Sequence, residues 1–438
     1  MSPHEPRPAR RALRLAPVGV VLILAFVTAV LSASAVFYAG WNLLAAHELK
    51  PERVIDSKTL FDLVKLAFSV VAGAGALVAL VVAYRRQRVD EARAALDEDS
   101  ALRDATRLHT ERFTSAVAQL GDGSAAIRLG GVHAMAGLAD DAPSRELRHM
   151  CIEVLCAYLR LPYASETNVL GNDAAEHAYL ASREVRHTVI RLIRDHLRLP
   201  ADHPHSWQGH DLDFTGVTFD GGDLSKAVFS GGNVSFKRAV FSGGVVDFQG
   251  TDFSGADIDF SHATFAGAEV SFLGARFSDG SVDFSEATIS GGEVDFWMAT
   301  FTGCDILFYE SVFSGGNVGF RRATVADAAI NFGRAVFSGA VVSFNESAFQ
   351  GGVVFFENAT FSGGEVSFEA ADFAGTQCSF ADAAFTDDVV DFSGTLFRDG
   401  RVDFTSASGL PRGLDSASTA RTTAPDVLIP SATWQSGT

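Results

Sequence analysis

Residues 229–260 read FSGGNVSFKRAVFSGGVVDFQGTDFSGADIDF, and this stretch decides the fold of the second half of the chain. From Phe229 onward the sequence repeats every 12 residues through fifteen units. Position eight of the unit is Phe in all fifteen, and position one is Phe except at Ile289 and Val325. A fixed short period of this kind indicates a solenoid, in which each unit stacks on the next.

Each large side chain of the repeat has a smaller partner two residues earlier. Val or Ile precedes position eight in fourteen units, with Cys378 as the exception, and Ala, Ser or Thr precedes position one in all fifteen. Residues two apart lie on the same side of an extended chain, so both partners are expected to face one core. The predicted core ladder contains Phe229, Val234, Phe236, Ala239, Phe241, Phe248, Phe253, Phe260, Phe296, Phe344, Phe368 and Phe404.

The corners of the solenoid are predicted from glycine. Two positions after the first Phe of a unit, the residue is Gly in eleven units and Asp in the other four, which are Asp279, Asp327, Asp387 and Asp399. Gly adopts left-handed backbone angles without strain, and Asp does so at a small cost. The chain is therefore expected to turn at this position.

Ahead of the 12-residue units, bulky residues recur in steps of five, at Phe214, Phe219, Leu224 and Phe229. With these steps and their small partners, residues 211–408 resemble the pentapeptide-repeat family in a Phe-centred variant. The resemblance implies a right-handed quadrilateral β-helix, normally with four pentapeptides per coil. Here the steps alternate between five and seven, which predicts a longer, 24-residue coil with four faces. A 12-residue coil is the alternative, but two Phe, one Val and one Ala would overfill so narrow a lumen.

The acidity of the chain is concentrated in this repeat. The net charge is −18; residues 211–408 contain 28 acidic and 9 basic residues, while residues 1–210 are nearly balanced. Such a surface repels nucleic-acid phosphates. The acids are expected to solvate the surface of the repeat, and attraction of a basic partner is the alternative. Six of the acids stand between the Val and the Phe of a unit but do not recur on every coil, so solvated carboxylates are expected rather than a row of cation ligands: Asp247, Asp259, Asp283, Asp295, Asp391 and Asp403.

Two apolar spans near the N-terminus predict membrane helices at residues 16–41 and 65–84, separated by an extracytoplasmic loop at 42–64. Arginines precede the first span and follow the second, which predicts a plasma-membrane protein with two spans and with both termini cytoplasmic, including the basic N-terminus at 1–15. The alternative is a signal peptide cleaved near Ser32-Ala33-Ser34-Ala35.

Residues 85–200 are predicted to form a cytoplasmic helical domain. The sequence Leu-Arg-Leu-Pro ends two helices, at 159–162 and 197–200, which suggests two hairpins of HEAT-like length. A linker at 201–210 follows, in which Trp207 is expected to cover the first coil. Cys151 and Cys156 are expected to be buried free thiols. The Ser-, Thr- and Pro-rich segment 409–438 is predicted to be a disordered tail, with Leu428 and Trp434 available to cover the last coil.

The fold class predicted is thus mixed: two membrane helices, a small all-α region and a C-terminal β-helix. The sequence contains none of the common phosphate-binding, dinucleotide-binding, serine-hydrolase or zinc-protease motifs, so no catalytic, cofactor-binding or metal-ligating residue is predicted. The predicted function is a non-enzymatic, membrane-anchored protein that presents an acidic rod to a protein partner, without direct nucleic-acid binding, and a homodimer is considered. The alternative, which the family resemblance implies, is a DNA mimic that binds a type II topoisomerase.

Overall fold

The computed structural model describes residues 18–43, 56–163, 173–386, 389–409, 411–414 and 427–428. The chain divides into two units, residues 1–104 and 105–438, which are described separately. Helices α1 (Val18–Leu43) and α2 (Ser57–Leu120) provide the described part of the first unit. The predicted tail at 409–438 and the loop at 42–64 fall largely outside the described residues.

Membrane insertion of the two predicted spans stays a prediction. The described residues of both spans are helical, and one helix among the described residues, α2, is long and apolar enough to cross a membrane. Residues 57–64 were predicted to be a loop, and the structure corrects this because α2 already begins at Ser57. The charged residues Lys58, Asp62 and Lys65 are compatible with a helix, and Lys65 pairs with Asp62 one turn away.

The helical part of the second unit contains the end of α2 and helices α3 (Ala125–Asp140), α4 (Arg145–Arg160) and α5 (Asp173–Leu197). Ser144 caps α4, since its hydroxyl accepts a hydrogen bond from the Leu147 amide. Apolar residues at helical spacing fill the core between these helices, among them Val132, Ile152 and Val189. Both Cys151 and Cys156 are buried free thiols, as predicted.

The rest of the second unit is a right-handed parallel β-solenoid of about eight turns. Four faces follow one another along each coil, and we number them 1 to 4. The strands of face 1 that lie within the described residues are β1 (Leu212–Asp213), β4 (Asn233–Ser235), β8 (Asp257–Asp259), β11 (Ser281–Asp283), β14 (Asp305–Leu307), β17 (Ala329–Asn331), β20 (Val353–Phe355), β23 (Gln377–Ser379), β27 (Arg401–Asp403) and β28 (Val427–Leu428).

Faces 2 and 3 share one bent sheet. Face 2 contains β2 (Thr218–Phe219), β5 (Val240–Phe241), β24 (Ala384–Phe385) and the first limb of each long strand. Face 3 contains β3 (Gly222–Asp223), β6 (Val245–Asp247), β25 (Val390–Asp391) and the second limb of each long strand. The long strands turn from one face to the other and are β9 (Thr264–Ser271), β12 (Thr288–Asp295), β15 (Val312–Gly319), β18 (Val336–Ser343) and β21 (Thr360–Ser367).

Face 4 is a third sheet that closes each coil. Its strands in the described part of the chain are β7 (Asp252–Ser254), β10 (Arg276–Ser278), β13 (Thr300–Thr302), β16 (Thr324–Ala326), β19 (Ala348–Gln350), β22 (Asp372–Ala374) and β26 (Leu396–Arg398). All strand pairs are parallel, so each strand bonds to the strand one coil away.

The coil contains 24 residues, which the register shows directly: Val282 pairs with Ile306, and Phe277 pairs with Phe301. The first coil is shorter because it retains three five-residue steps; there Leu212 pairs with Val234, 22 residues on. A 12-residue sequence repeat thus builds half a coil. Successive units face opposite sides of the core, and equivalent side chains stack every second unit.

The corners differ from the glycine-based prediction in alternate units. Between faces 4 and 1 the predicted position does have positive φ, as at Gly231 and Asp279. Between faces 2 and 3 the positive φ falls one residue later where that residue is Gly, as at Gly292 and Gly316, and the strand passes this corner through a β-bulge. Ala268 and Ala340 at the same position do not have positive φ, and Asp387, at the last of these corners, lies outside the described residues. The sequence therefore repeats every 12 residues, whereas the backbone conformation repeats every 24 residues.

A further type of corner has no glycine signature. Two residues after position eight the backbone is left-handed in unit after unit, and this site is occupied by residues as different as Arg238, Glu286 and Met298. An L-residue in this conformation costs about 1–2 kcal/mol. The amide of Arg238 donates to Ser261 O one coil away, at 3.0 Å, and such bonds between coils offset the strain.

Candidate interaction surfaces

All twelve residues of the predicted ladder lie in the solenoid core, and none is more than 2% exposed. Four stacks of rings run along the axis, one for each face. Phe236, Phe260 and Phe404 belong to the stack of face 1, and Phe241 belongs to that of face 2. The remaining Phe of the ladder stack under faces 3 and 4: Phe248, Phe296, Phe344 and Phe368, and Phe229 and Phe253.

The ring geometry is that of a packed column without a lumen. The Phe296 ring centroid is 4.7 Å from those of both Phe272 and Phe320, with planes within 4° of parallel. Across the core, the rings of Phe272 and Phe260 meet edge to face at 6.1 Å. Burying each Phe contributes about 1.5–3 kcal/mol, so stacked rings supply much of the stability of the fold. The interior leaves the outer faces as the surfaces available for binding.

The acids between Val and Phe have a structural role that the sequence analysis did not find. Each carboxylate accepts a hydrogen bond from the amide two residues on, as in Asp247 to Gln249 at 2.7 Å and Asp295 to Trp297 at 3.0 Å. Ser271 and Asn331 do the same with a hydroxyl and an amide oxygen. These are Asx and Ser turns, which stabilise the corner after position eight in most units; Leu307, Gly319 and Phe355 stand at the same position without such a side chain. Three residue types satisfy one backbone requirement, which is why Asp does not recur on every coil.

Helices α4 and α5 pack on the first coil through a buried carboxylate that the sequence analysis also missed. Asp220 follows β2 and is 6% exposed. The hydroxyls of Tyr163 and Tyr179 donate to it at 2.6 and 2.7 Å, and Arg183 and His187 lie 3.2 and 3.3 Å away. Asp220 is the one formally charged outward residue in its column of face 2, and comparison along the columns would have revealed it.

The environment of Asp220 favours its charged form. Burial alone would raise the pKa of this carboxyl, but the hydrogen bonds from His187, Tyr163 and Tyr179 outweigh burial and lower the pKa to about 2. Arg186 lies against the Tyr163 ring and donates to Thr218 O at 2.7 Å. The network therefore joins the helices to the first coil with charge-assisted hydrogen bonds, and we interpret it as an attachment rather than as a reactive site.

The linker residues lie at the same junction. Trp207 is fully buried, and its ring stacks on that of His196 at 4.0 Å. His210 stacks on His149 at 5.8 Å, and burial together with nearby Arg145 lowers the pKa of His210 to about 4. His203 and His205 meet edge to face at 5.4 Å. Across the described ranges, no group of three or more His, Cys, Asp or Glu is placed to hold a metal ion.

Faces 1 and 3 are both acidic, and they differ in that the described strands of face 1 also include an outward arginine, Arg401. Beyond the first coil, the outward positions of the described strands of face 3 include six carboxylates and no Lys or Arg: Asp247, Glu269, Glu293, Asp295, Glu365 and Asp391. Glu269 and Glu293 are exposed and stand opposite each other in register on adjacent strands. Burial raises the pKa of nearby Asp295; the hydrogen bond from the Trp297 amide and the charge of Arg321 oppose this rise, and Glu269 adds to it. Like charges on neighbouring strands destabilise a sheet, so this arrangement does not serve folding.

Face 2 is uncharged over seven successive strands, from β5 to β24. Its outward residues are Thr, Val, Ser or Ala throughout: Val240, Ser242, Thr264, Ala266, Thr288, Ser290, Val312, Ser314, Val336, Ser338, Thr360, Ser362, Ala384 and Thr386. We call this surface the neutral face. The neutral face thus lacks charge although the domain contains 28 acidic residues.

The fold thus defines a β-solenoid with a solid aromatic core. A family model described as pentapeptide repeats (9 copies) matches residues 224–276, and the same Phe-centred pattern continues through the 12-residue units that follow. No curated protein and no solved structure matches the chain.

Proposed function

We propose that this protein is a non-catalytic, membrane-anchored interaction protein whose solenoid binds a basic protein surface through face 3. The observation that carries the proposal is the like-charge row on that face. Glu269 and Glu293 have no Lys, Arg or His nitrogen within 4.0 Å among the described residues, although other carboxylates of the solenoid are paired along their columns. A surface that costs stability and lacks compensation within the chain is suited to a partner that supplies the opposite charge.

The like-charge row also matches the spacing of a flat, extended partner. Coils lie about 4.8 Å apart, so Glu269 and Glu293 stand about one such interval apart along the solenoid, while the other acids of face 3 are separated by uncharged residues in their columns. Lys and Arg side chains on a partner strand or helix are long enough to reach carboxylates at this spacing. Steering by such a row raises association rates at low salt and is screened at high salt.

The test is a cross-linked pull-down from membranes with the full chain and two double variants. Glu269→Gln with Glu293→Gln removes two charges from face 3, while Asp257→Asn with Asp305→Asn removes two from face 1. We expect one protein to be captured by the wild type and by the face-1 variant, and to be lost with the face-3 variant. Equal capture by both variants would show that the partner does not recognise face 3.

Membrane anchoring is part of the same proposal. It is supported by the apolar length of α2, by the helical conformation of Val18–Leu43 and by the arginines at the outer flanks of both predicted spans. In this arrangement both termini are cytoplasmic and the loop between the spans is outside. Resistance to alkaline carbonate extraction, together with a C-terminal reporter active only in the cytoplasm, is expected. Release of the intact chain by carbonate would contradict it.

A further inference from the structure

The charge distribution raises the question of how two copies of this chain can approach each other. Each solenoid has 28 acidic and 9 basic residues in residues 211–408, so most mutual orientations are repulsive. The neutral face has no formally charged residue among its fourteen outward residues, whereas the charges of face 4 are balanced as the pairs Arg276–Asp252 and Arg398–Asp372. Contact between two neutral faces brings the fewest like charges together.

The borders of the neutral face are also compensated. On the side of face 1, charged corner residues pair along their column, with His262 Nδ1 3.2 Å from Glu286 Oε2 and Arg334 Nη1 2.8 Å from Glu310 Oε1. On the side of face 3, the corner consists of Gly and Ala at the first six of the seven strands, for example Gly291-Gly292, and the sequence has Asp387-Asp388 at the seventh. The smooth corner lets a flat surface come close, while the paired corner adds little net charge.

Five of the nine hydroxyls of the neutral face donate to carbonyl oxygens of the neighbouring coil. Ser290 Oγ donates to Phe265 O and Ser314 Oγ donates to Ile289 O, both at 3.4 Å, and Thr386 Oγ1 donates to Phe361 O at 2.8 Å. A donor with an internal acceptor loses less on leaving water than a free one. The face is therefore polar in composition but has a low cost of desolvation, and methyl groups of Val312 and its neighbours lie beside the hydroxyls.

The chain itself uses the first coil of this face for packing. There the outward residue is Asp220, and it is covered by Tyr179 and Arg183 of α5. Beyond the first coil, no described segment of the chain covers the face: Ser290, Ser314 and Ser338 are all exposed.

We propose that the neutral face is a self-association surface, on which the solenoid of a second copy of this chain packs face to face. Both partners then present the same spacing of about 4.8 Å between strands, so their rows of side chains interlock as in a β-sandwich. A two-fold axis relates the copies, and Ser314, on the middle strand of the seven, meets its own equivalent. The proposal goes beyond the basic partner of face 3 and does not depend on it.

The size of the face sets the strength of the contact. Seven strands at about 4.8 Å span roughly 30 Å, and a width of about 12 Å gives about 400 Å² on each copy. Stable dimers bury about 800 Å² on each partner, so this contact is weak in dilute solution. Two copies tethered to one bilayer experience a far higher effective concentration, which favours association in the membrane.

The experiment is thiol cross-linking of the full chain in membranes with a short bis-maleimide. All four native cysteines are buried, so an introduced exposed cysteine is the reactive one. Ser314→Cys places the thiol at the centre of the neutral face, and Thr302→Cys places an exposed thiol on face 4 as the matched control. We expect a cross-linked dimer with Ser314→Cys at least tenfold more abundant than with Thr302→Cys.

A second pair of variants tests the chemistry of the face. Adding Val312→Lys to the Ser314→Cys chain should abolish the cross-link, whereas adding Thr300→Lys on face 4 should leave it unchanged; circular dichroism confirms that both are folded. Equal cross-linking at Ser314 and Thr302, no dimer at Ser314, or a product in which Ser314→Cys is joined to a different protein would each overturn the proposal. Loss of the partner in the face-3 pull-down would leave these results unchanged, so the two proposals fail separately.

Discussion

Substituting one glycine of the corner between faces 4 and 1 tests how closely successive coils approach. Gly352 has φ +69°, and a Cβ built there would overlap Ala328 O, one coil away. That carbonyl accepts the hydrogen bond of the next amide, Val353 N, at 3.0 Å. Gly274 has a similar φ of +61°, but a Cβ there meets nothing within 4 Å. Ala at either site thus adopts the same strained backbone, and only one of the two clashes.

Comparing the two variants gives the loss of stability that is due to the clash alone. The left-handed backbone costs Ala about 1–2 kcal/mol at either position, and this cost cancels between the two variants. The clash at Gly352 must separate the coils or displace the carbonyl, which resembles overpacking at about 1–3 kcal/mol. We expect Gly352→Ala to destabilise the solenoid by about 1–3 kcal/mol more than Gly274→Ala.

The assay is native-state amide hydrogen exchange of the full chain, because it reports each coil separately when unfolding is not two-state. In Gly352→Ala the Val353 amide should exchange roughly tenfold to a hundredfold faster than in Gly274→Ala, since about 1.4 kcal/mol corresponds to a factor of ten. Equal exchange in the two variants would refute the close approach at this corner.

Three further outcomes are expected. Phe296→Ala, in the middle of a stack, should lower the free energy of unfolding by about 3–5 kcal/mol. Phe404→Ala should lower it by less, because the Phe404 ring stacks on the Phe380 ring alone among the described residues. Equal losses of stability in thermal denaturation would contradict the stacking. The pKa of Asp220 is lowered to about 2, so the charged carboxylate contributes about 2–3 kcal/mol to the free energy of unfolding. This contribution is complete above pH 4 and is lost as the pH falls towards 2. Asp220→Asn should remove this pH dependence from the thermal midpoint, and an unchanged dependence would count against the network. Burial raises the pKa of the Cys156 thiol to about 12 and that of Cys304 to about 11, so iodoacetamide at pH 8 should modify neither until the chain is unfolded, as mass spectrometry can show.

The core residues could be predicted from the sequence because buried aromatic residues recur in it at a fixed period. Phe296 and Phe344 recur at a fixed position, and only inward-facing sites demand the same large side chain in each unit. The 24-residue coil followed from the volume of these rings. The sequence also located the helical region by its apolar spacing, as at Val185 and Val189.

The corners were harder to predict from the sequence, because different residue types can meet the same backbone requirement. The left-handed sites at Arg238 and Glu286 show no common side chain, because the hydrogen bonds between coils compensate for strain regardless of residue type. The Asp220 network joins residues 41 and 57 positions apart in sequence, through Tyr179 and Tyr163, and no local pattern signals such a contact. Surfaces likewise became visible only after the coil length placed outward residues in columns.

The central claim, that a 24-residue coil winds around stacked aromatic rings, is tested most directly by one distance. Arg238 and Asp382 occupy equivalent exposed corner positions, and the register places them six coils apart. Spin labels on Arg238→Cys and Asp382→Cys should be separated by about 29 Å, six steps of about 4.8 Å, in a pulsed electron–electron double resonance measurement on the full chain. A separation of about 35 Å, as for 20-residue coils, or of about 58 Å, as for 12-residue coils, would contradict the structure described above.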